Sequence, residues 1–569
     1  MKSEATQFQL TTEYESELDK SSPYCEYPRP QFKRASFFSL NGEWEFELSE
    51  SPEIPKSFGE RILVPVPMES RLSGIGRTHN PTELLFYRTH FSLPRGFVKD
   101  RVLLNFGAAD QLCTVFLNGD TVWDGYVGYL PISIDVTGSL REENELTVRV
   151  KDTLDKKYPY GKQRADRGGM WYTPVSGIWQ TVWLESVCHG AFEKIEITPT
   201  VNEVKIKVYG GEGKKRLSLD GELYEFSSDE ITVSPKEKRL WTPEHPNLYY
   251  FTLECDNDKI ESYFALREIG IGEVGGVKRI LLNGKPYFFN ALLDQGYYPD
   301  GIFLPATARG FEDDIRLAKS LGFNTLRKHI KIEPMIFYHL CDKLGMVVFQ
   351  DMVNNSDYSF IRDTALPTVG IKRLPDKSMH KNAESREIFL KTMYGTIEHL
   401  YNTPSVLYYT LFNEGWGQFS ADEVYKKAKA ADKTRIIDAT SGWFIQSESD
   451  VDSHHIYFKR IKPKISKKRP TVVSEFGGYS YRAEGHLFGT NNYGYRTLSS
   501  QEELEDALIS LYLNEVKPYV RQGLSGAVLT QISDVEDETN GLVTYDRRLV
   551  KVNPEKIRRV MDELTSENE

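Results

Sequence analysis

The sequence has few cysteines, little excess of positive charge and no long apolar run, and each shortage excludes a class of protein. Its five cysteines, Cys25, Cys113, Cys188, Cys255 and Cys341, are odd in number, scattered and never in C-x-x-C spacing. They read as reduced thiols of a cytoplasmic protein, not as a disulfide framework or a zinc site. The net charge is −11 and the pI about 5.7. Such a surface repels polyanions, which argues against nucleic acid as a partner. No stretch approaches the roughly 20 apolar residues of a membrane helix, so no membrane partner is expected. The opening residues, MKSEATQFQLTTEYESELDK, contain no apolar core of a secretory leader, which again suggests the cytoplasm. Long helical patterns are missing from about residue 36 to 190.

What is abundant is aromatic: 32 Tyr, 30 Phe and 8 Trp among 569 residues. Such rings suit β-rich cores and sites that stack ligand faces. From about 36 to 190, short alternating runs recur between turn signals, among them SLNGEWEFEL, FYRTHFSL, TVFLNGDTVWDG and ELTVRVKD. Period-2 alternation with Asn-Gly turns predicts antiparallel strands, hence an all-β jelly-roll sandwich over residues 1–190. A smaller β-rich stretch (KIEITPTV, EVKIKVYG, KRLSLDG, EITVSP, LYYFTLEC, IESYFALREIG) predicts an immunoglobulin-like sandwich over 191–274.

From 275 to 569 the rhythm changes. Eight apolar runs (YFFNALL, NTLRKH, MVVFQDM, SVLYYTLF, TRIIDATSG, VDSHHIY, TVVSEFGG, GAVLTQIS) alternate with amphipathic helices, except after the fifth and sixth runs. This is the pattern of a (β/α)8 TIM barrel, whose active site lies at the C-terminal ends of the strands. Those ends are polar in turn: Asp294 and Gln295, Arg327 and His329, Gln350 and Asp351, Asn413 and Glu414, then Trp443, His454, His455 and Tyr457, Glu475, and Asp534. Packing does not require eight polar ends on one face. Glu414 and Glu475 end strands four and seven, across the barrel mouth from each other. Two facing carboxylates are the apparatus for cleaving a glycosidic bond, one as acid and the other as nucleophile or base. The competing reading for each is a salt bridge to Arg327 or another cation.

The acidic run DVEDE (534–538) offers ligand types that suit Mg²⁺ or Ca²⁺, but not at EF-hand spacing, and solvated loop charge is the simpler reading. His454-His455 has no third partner at zinc-ligand spacing, so no cofactor is required and no metal ligand is assigned. The basic stretch KRIKPKISKKR (459–469) reads as a solvated surface loop.

At these residues the chain resembles glycoside hydrolase family 2, which contains β-galactosidases, β-glucuronidases and β-mannosidases. LNGEWEF (40–46), VPVPMES (64–70), FYRTHFSLP (86–94), VFLNG (115–119) and GMWYTPVSGIWQTVWLE (169–185) resemble its jelly-roll domain. LLNGKPYFFNA (281–291) resembles the entry to its barrel, TPSVLYYTLFNEG (403–415) the acid/base strand, and RPTVVSEFGG (469–478) the nucleophile strand. The resemblance implies that Glu414 is the general acid/base and Glu475 the nucleophile of a double displacement that retains anomeric configuration. It implies that Asn413 bonds the sugar 2-hydroxyl and that Tyr457 lies near the nucleophile. Trp416 is a candidate stacking wall. Asp294, Arg327, His329, His455, Trp443 and Asp534 complete the candidate substrate-binding set.

Two departures bear on substrate. Asp294, in LLDQGYYPDG (292–301), stands where the family commonly has histidine. Glu538 and Asn540, in EDETNGLVTYDR (536–547), stand where β-glucuronidases carry an Asn-x-Lys pair that grips the sugar carboxylate. An acidic residue there repels a uronate. The expectation is therefore an exo-glycosidase with β-galactosidase as lead activity. α-L-Arabinofuranosidase, β-mannosidase and uronidase are the alternatives, and a non-catalytic carbohydrate-binding protein is the rival from another class. Residues 158–167, YPYGKQRADR, are expected either to reach the pocket or to serve as an interdomain contact. Homo-oligomerisation stays open.

Overall fold

The computed structural model describes residues 10–368, 370–371 and 374–566. Residues 1–9, part of the opening stretch read above, lie outside the described residues. The N-terminal part is a sandwich of a six-stranded and a four-stranded antiparallel sheet. Alternation along its strands does what the sequence pattern requires: in Gly42–Ser49, Trp44 and Phe46 are buried while Glu43 is exposed. A three-stranded and a four-stranded sheet form the second sandwich over 192–264. One of its strands, Glu222–Phe226, was not expected: it is an edge strand whose inner face holds only the half-buried Tyr224 and Phe226 while Leu223 is exposed on the other side.

The C-terminal region is an eight-stranded parallel sheet curled into a nearly closed barrel. Its strands are β1 (Phe289–Asp294), β2 (Thr325–Lys328), β3 (Val347–Asp351), β4 (Val406–Thr410), β5 (Ile436–Asp438), β6 (Asp452–Ile456), β7 (Thr471–Gly477) and β8 (Leu524–Thr530). All eight coincide with the expected runs. Ladder pairing runs from β5 through β1 to β8, β7 and β6, and the seam falls between β5 and β6. The flanking helices are α1 (Arg309–Ser320), α2 (Met335–Leu344), α3 (Ala383–Leu400), α4 (Ala421–Ala431), α5 (Gln501–Leu511) and α6 (Pro554–Ser566). Among the described residues no helix follows β5 or β6 before the next strand. Local chemistry sets the helix starts. Asn382 accepts from Ser385 N (3.0 Å) at the start of α3, and Ser500 accepts from Glu503 N (3.1 Å) at the start of α5.

A hairpin of Ile269–Val274 and Val277–Leu282 leads into β1 and closes the barrel's N-terminal end. Ile280 and Leu282 pack there with Trp241 on Phe289, Phe349 and Tyr408. The second sandwich is pinned to the barrel's flank by Trp241 Nε1 to Asp342 O (2.9 Å) and Tyr263 OH to Asp342 Oδ2 (2.7 Å). The jelly roll instead meets the C-terminal mouth, through Tyr160 N to Asn354 O (3.1 Å) and Thr173 N to Glu536 Oε1 (2.8 Å). These contacts bring a β-sandwich loop to the open end of the barrel.

Candidate active site

The site is organised around Arg327, delivered by β2 and 1% exposed. Its Nε donates to Asp351 Oδ1 (3.0 Å), one terminal nitrogen to Ser474 O (2.9 Å) and Glu475 Oε1 (3.0 Å), and the other to Asn413 Oδ1 (2.8 Å). One guanidinium fork thus fixes side chains from β3, β4 and β7, which a lysine's point charge cannot do. Burial opposes the charge on Arg327, but Asp351 and Glu475 hold its pKa above the ordinary arginine value. The salt bridge that competed with catalysis as an account of Glu475 is therefore present, and the same contact aims the carboxylate.

Glu475 is 5% exposed. Its Oε2 accepts from Tyr457 OH (2.7 Å), and His455 Nδ1 lies 3.4 Å from the same oxygen. Burial pushes its pKa up, His455 pulls it down and Glu414 pushes it up again, while Arg327 and Tyr457 favour the anion. Glu414 has φ +53°, a left-handed conformation rare outside glycine. The turn is held by Glu414 N to Ser441 O (2.9 Å) beyond β5 and by Trp416 N to Asn413 O (2.9 Å). Gly415 and Gly417, at φ +79° and +66°, complete it, and a Cβ on Gly417 would stand 2.6 Å from Asn355 O. This explains why the apolar strand ends in Asn-Glu-Gly-Trp-Gly: the backbone must reverse at once to turn Glu414 back over the mouth.

His455 Nδ1 lies 2.8 Å from Glu414 Oε1, and its Nε2 lies 2.9 Å from Ser441 Oγ. A hydrogen bond between an imidazole nitrogen and a carboxyl oxygen holds one proton, on one partner or the other. One oxygen of Glu414, one of Glu475 and a ring nitrogen of His455 all lie within 4.8 Å of one another. The two carboxyl groups are thus near neighbours, as a nucleophile and an acid/base that serve one glycosidic bond must be. With His455 they form the only trio with metal-ligand geometry among the described residues. Arg327 and Tyr457 already donate to the two oxygens of Glu475, so the trio is built as a hydrogen-bonded carboxyl pair, not as a cation cage.

One wall is aromatic. Trp416, 2% exposed, stacks on Trp171 at 5.2 Å between centroids, and Tyr358 meets its edge at 5.4 Å. On the opposite side Tyr495 stacks on Tyr457 at 4.1 Å. Residues 158–167 do reach the mouth. Lys162, 7% exposed, places its ammonium 4.8 Å from the Trp416 ring, and no hydrogen bond from it to a described residue is present. Gly161 makes the approach feasible: it has φ +64°, and a Cβ would stand 2.9 Å from Ile330 O. Lys162 and Glu538 feel each other's charge; burial raises the pKa of Glu538 and Lys162 lowers it. Glu538 Oε2 accepts from Tyr172 OH and from Gln531 Nε2 (3.1 Å).

The other expected residues separate. His329 sits beside the hub, with Nδ1 2.7 Å from Asp351 Oδ2, and burial lowers its pKa to about 3, so it is neutral. Trp443 is half-buried, donates to Asp363 O (3.1 Å) and meets His455 edge-on at 5.4 Å. Asp294 uses both oxygens on protein groups, Oδ1 on Gly296 N (2.9 Å) and Oδ2 on Lys328 (2.7 Å). It therefore caps the end of β1 rather than offering a free oxygen to a sugar, contrary to its place in the candidate substrate-binding set. Asp534 Oδ1 accepts from Lys551 (2.7 Å) and Gly541 N (2.8 Å), both within the segment that follows β8. The acidic run is not solvated: Asp534, Glu536, Asp537 and Glu538 are each 5% exposed or less. Glu536 turns to Arg167 and Thr173, Glu538 to Tyr172 and Gln531, and no metal-binding trio forms there among the described residues. Lys162, Trp171, Tyr358 and Tyr495 were not singled out from sequence, because the first two reach the mouth only through domain packing and the last two lie on long irregular loops after β3 and β7.

The comparisons with known proteins now bear on this arrangement. The family model described as "Glycosyl hydrolases family 2, TIM barrel domain" matches residues 277–557, and "Glycosyl hydrolase 2 galactose-binding domain-like" matches 82–177. The chain belongs to glycoside hydrolase family 2. Among family relatives, a β-galactosidase of Photobacterium profundum is 23% identical over 601 residues, covering 90% of this chain and 54% of the relative. One of Thermoanaerobacter pseudethanolicus is 23% identical over 295 residues, covering 47% of this chain and 39% of the relative. The chain thus spans about half the length of these relatives or less. Among solved structures, a β-glucuronidase of an uncultured Clostridium superposes with TM-score 0.73 at 18% identity, covering 92% of this chain and 97% of the other. A β-galacturonidase of Eisenbergiella tayi gives TM-score 0.68 at 19% identity, covering 94% and 97%. At such identities these two share the fold of the family 2 chain described here.

Proposed function

We propose that this family 2 protein is a retaining exo-glycosidase. The observation that carries the reading is the pair Glu414 and Glu475, with carboxyl oxygens within 4.8 Å and each held by its own hydrogen bonds. Glu475 is the nucleophile: Arg327 and Tyr457 stabilise its anion and fix its direction. Glu414 is the acid/base. It protonates the leaving oxygen, then takes a proton from the water that hydrolyses the glycosyl-enzyme. His455 shares a proton with Glu414 and supports both ionisation states. Asn413, oriented by Arg327 through its carbonyl oxygen, leaves its amide N–H₂ to donate to the sugar 2-hydroxyl.

The lead substrate class is a β-galactoside or another neutral sugar, supported by the Glu538 carboxylate in the wall and by the names of the sequence relatives. A second reading, an acidic sugar, is favoured by Lys162, a buried ammonium with no hydrogen-bond partner among the described residues, and by the names of the structural relatives. The five unpaired cysteines support a reducing compartment.

The test is hydrolysis of nitrophenyl galactoside, glucuronide, galacturonide, mannoside and arabinofuranoside, with Glu475→Gln beside the wild type. One glycoside is expected to be cleaved, with retention, by the wild type only. A Glu475→Gln protein as active as the wild type would sink the nucleophile. Cleavage of none, with sugars still bound in calorimetry, would turn the reading towards a binding protein.

A further inference from the structure

The basic stretch 459–469 has no part in the chemistry above, yet it lies beside it. It is the whole connection between β6 and β7, where a barrel ordinarily has a helix, and it crosses the flank as an irregular strap. Its eleven residues carry seven Lys or Arg and no Asp or Glu, in a chain of net charge −11. Burial alternates along it. Ile461 and Pro463 are buried and Ile465 half-buried, while Lys462 and Lys464 are exposed. Ile461 N donates to Glu515 Oε2 (2.6 Å) and anchors the strap. The apolar residues therefore hold it down and the cations face outward. Arg460 and Arg469 have carboxylates nearby, at 4.0 Å and 3.7 Å. Lys459, Lys462, Lys464, Lys467 and Lys468 have none within ion-pair distance among the described residues.

A groove of about 410 Å³ separates the strap from the loop after β7. Tyr457, Phe458, Tyr479 and Tyr495 supply rings to it, Lys459, Arg460 and Arg496 supply cations, and Glu515, 4.0 Å from Arg460, supplies one carboxylate. Phe458 is 74% exposed and has φ +58°, a left-handed conformation rare for a bulky residue. Its ring meets the edge of Tyr495 at 4.8 Å, and Tyr495 stacks on Tyr457, which donates to Glu475. Tyr457 itself lines the groove, which thus lies one ring away from the nucleophile.

We propose that this groove and strap bind an acidic carbohydrate chain, with carboxylate or sulfate groups on the lysines and sugar faces on Phe458 and Tyr479. Flat rings suit the C–H faces of pyranoses, and unpaired ammoniums suit their anionic substituents. The rest of the surface, acidic on balance, repels polyanions that do not fit the slot. Placement beside the mouth makes the groove a hold on the polymer from which a terminal sugar is presented, which goes beyond the hydrolytic reading and does not depend on it.

Calorimetry on the full chain carrying Glu475→Gln tests the proposal, with a galacturonic acid hexasaccharide, a sulfated hexasaccharide, a neutral galactan hexasaccharide and a short single-stranded DNA as probes. An acidic hexasaccharide is expected to bind at about 50 mM salt and about tenfold more weakly at about 300 mM, with little binding of the neutral one. The triple variant Lys462→Glu, Lys464→Glu, Lys467→Glu should lose about tenfold or more in that affinity. In the otherwise wild-type chain the same triple change should leave nitrophenyl glycoside turnover within about twofold, since screened surface charges act weakly at a distance. Tighter binding of the uronate or of the sulfate identifies the anion, and either supports the site. No acidic binding at low salt, affinity untouched by charge reversal, or equally tight DNA would overturn it. If the wild type cleaves no nitrophenyl glycoside, the hydrolytic reading fails and the binding result still decides this one.

Discussion

Arg327→Lys separates the geometry of the hub from its charge. Lysine keeps a cation next to Asp351, so the fold is not left with an uncompensated buried carboxylate, a loss of about 3–5 kcal/mol in the alanine variant. It cannot reproduce the fork. The bonds at stake are those to Glu475 Oε1 (3.0 Å) and Asn413 Oδ1 (2.8 Å). Hydrogen bonds to charged groups contribute about 1.5–3 kcal/mol each, so losing both removes about 3–6 kcal/mol, or about 10²–10⁴ in kcat/KM. With Glu475 as the proposed nucleophile and Asn413 as the proposed donor to the 2-hydroxyl, the loss should fall mainly in kcat. The assay is steady-state hydrolysis of the glycoside that the wild type cleaves, with circular dichroism melting to check that the fold persists. A folded Arg327→Lys protein within about tenfold of the wild type, or one altered in KM alone, would refute the assignment of Arg327 as the residue that aims the nucleophile.

Two further outcomes follow from the same geometry. Tyr457→Phe removes a donor to Glu475 Oε2 and so favours the protonated carboxyl; the acidic limb of kcat/KM should move to higher pH, and a limb that stays in place would deny the tyrosine this role. Glu538→Gln removes a negative charge from the wall and leaves Lys162 uncompensated, so the ratio of uronide to galactoside turnover should rise by about tenfold or more; an unchanged ratio would place the Glu538 carboxylate away from the sugar.

Much of this protein is legible in its sequence because the signals are local. Alternation in GEWEFELS, the Asn-Gly turns and the eight apolar runs each depend on a few neighbouring residues, and each becomes a strand where expected. The missing helices after β5 and β6 were visible for the same reason. So was the carboxyl pair, since Glu414 lies four residues past the end of β4 and Glu475 two before the end of β7, within reach of the rule that barrel strands deliver their functional groups at the C-terminal end. The edge strand Glu222–Phe226 escaped because an exposed Leu223 beside the half-buried Tyr224 and Phe226 breaks the clean alternation that marks a strand.

Tertiary structure decided what depends on distance between segments far apart in the chain. Only the folded barrel shows that Arg327 links Asp351, Asn413 and Glu475, and that Asp294 is committed to Lys328 and Gly296. A run such as DVEDE carries no sign of burial in its own residues; its burial comes from Arg167, Tyr172 and Thr173, more than 350 positions earlier. Lys162 reaches Trp416 only because the jelly roll docks on the barrel mouth. Periodicity and turn chemistry specify elements from within, whereas a side chain's charge state, partner and direction are set by whatever the packed domains bring against it.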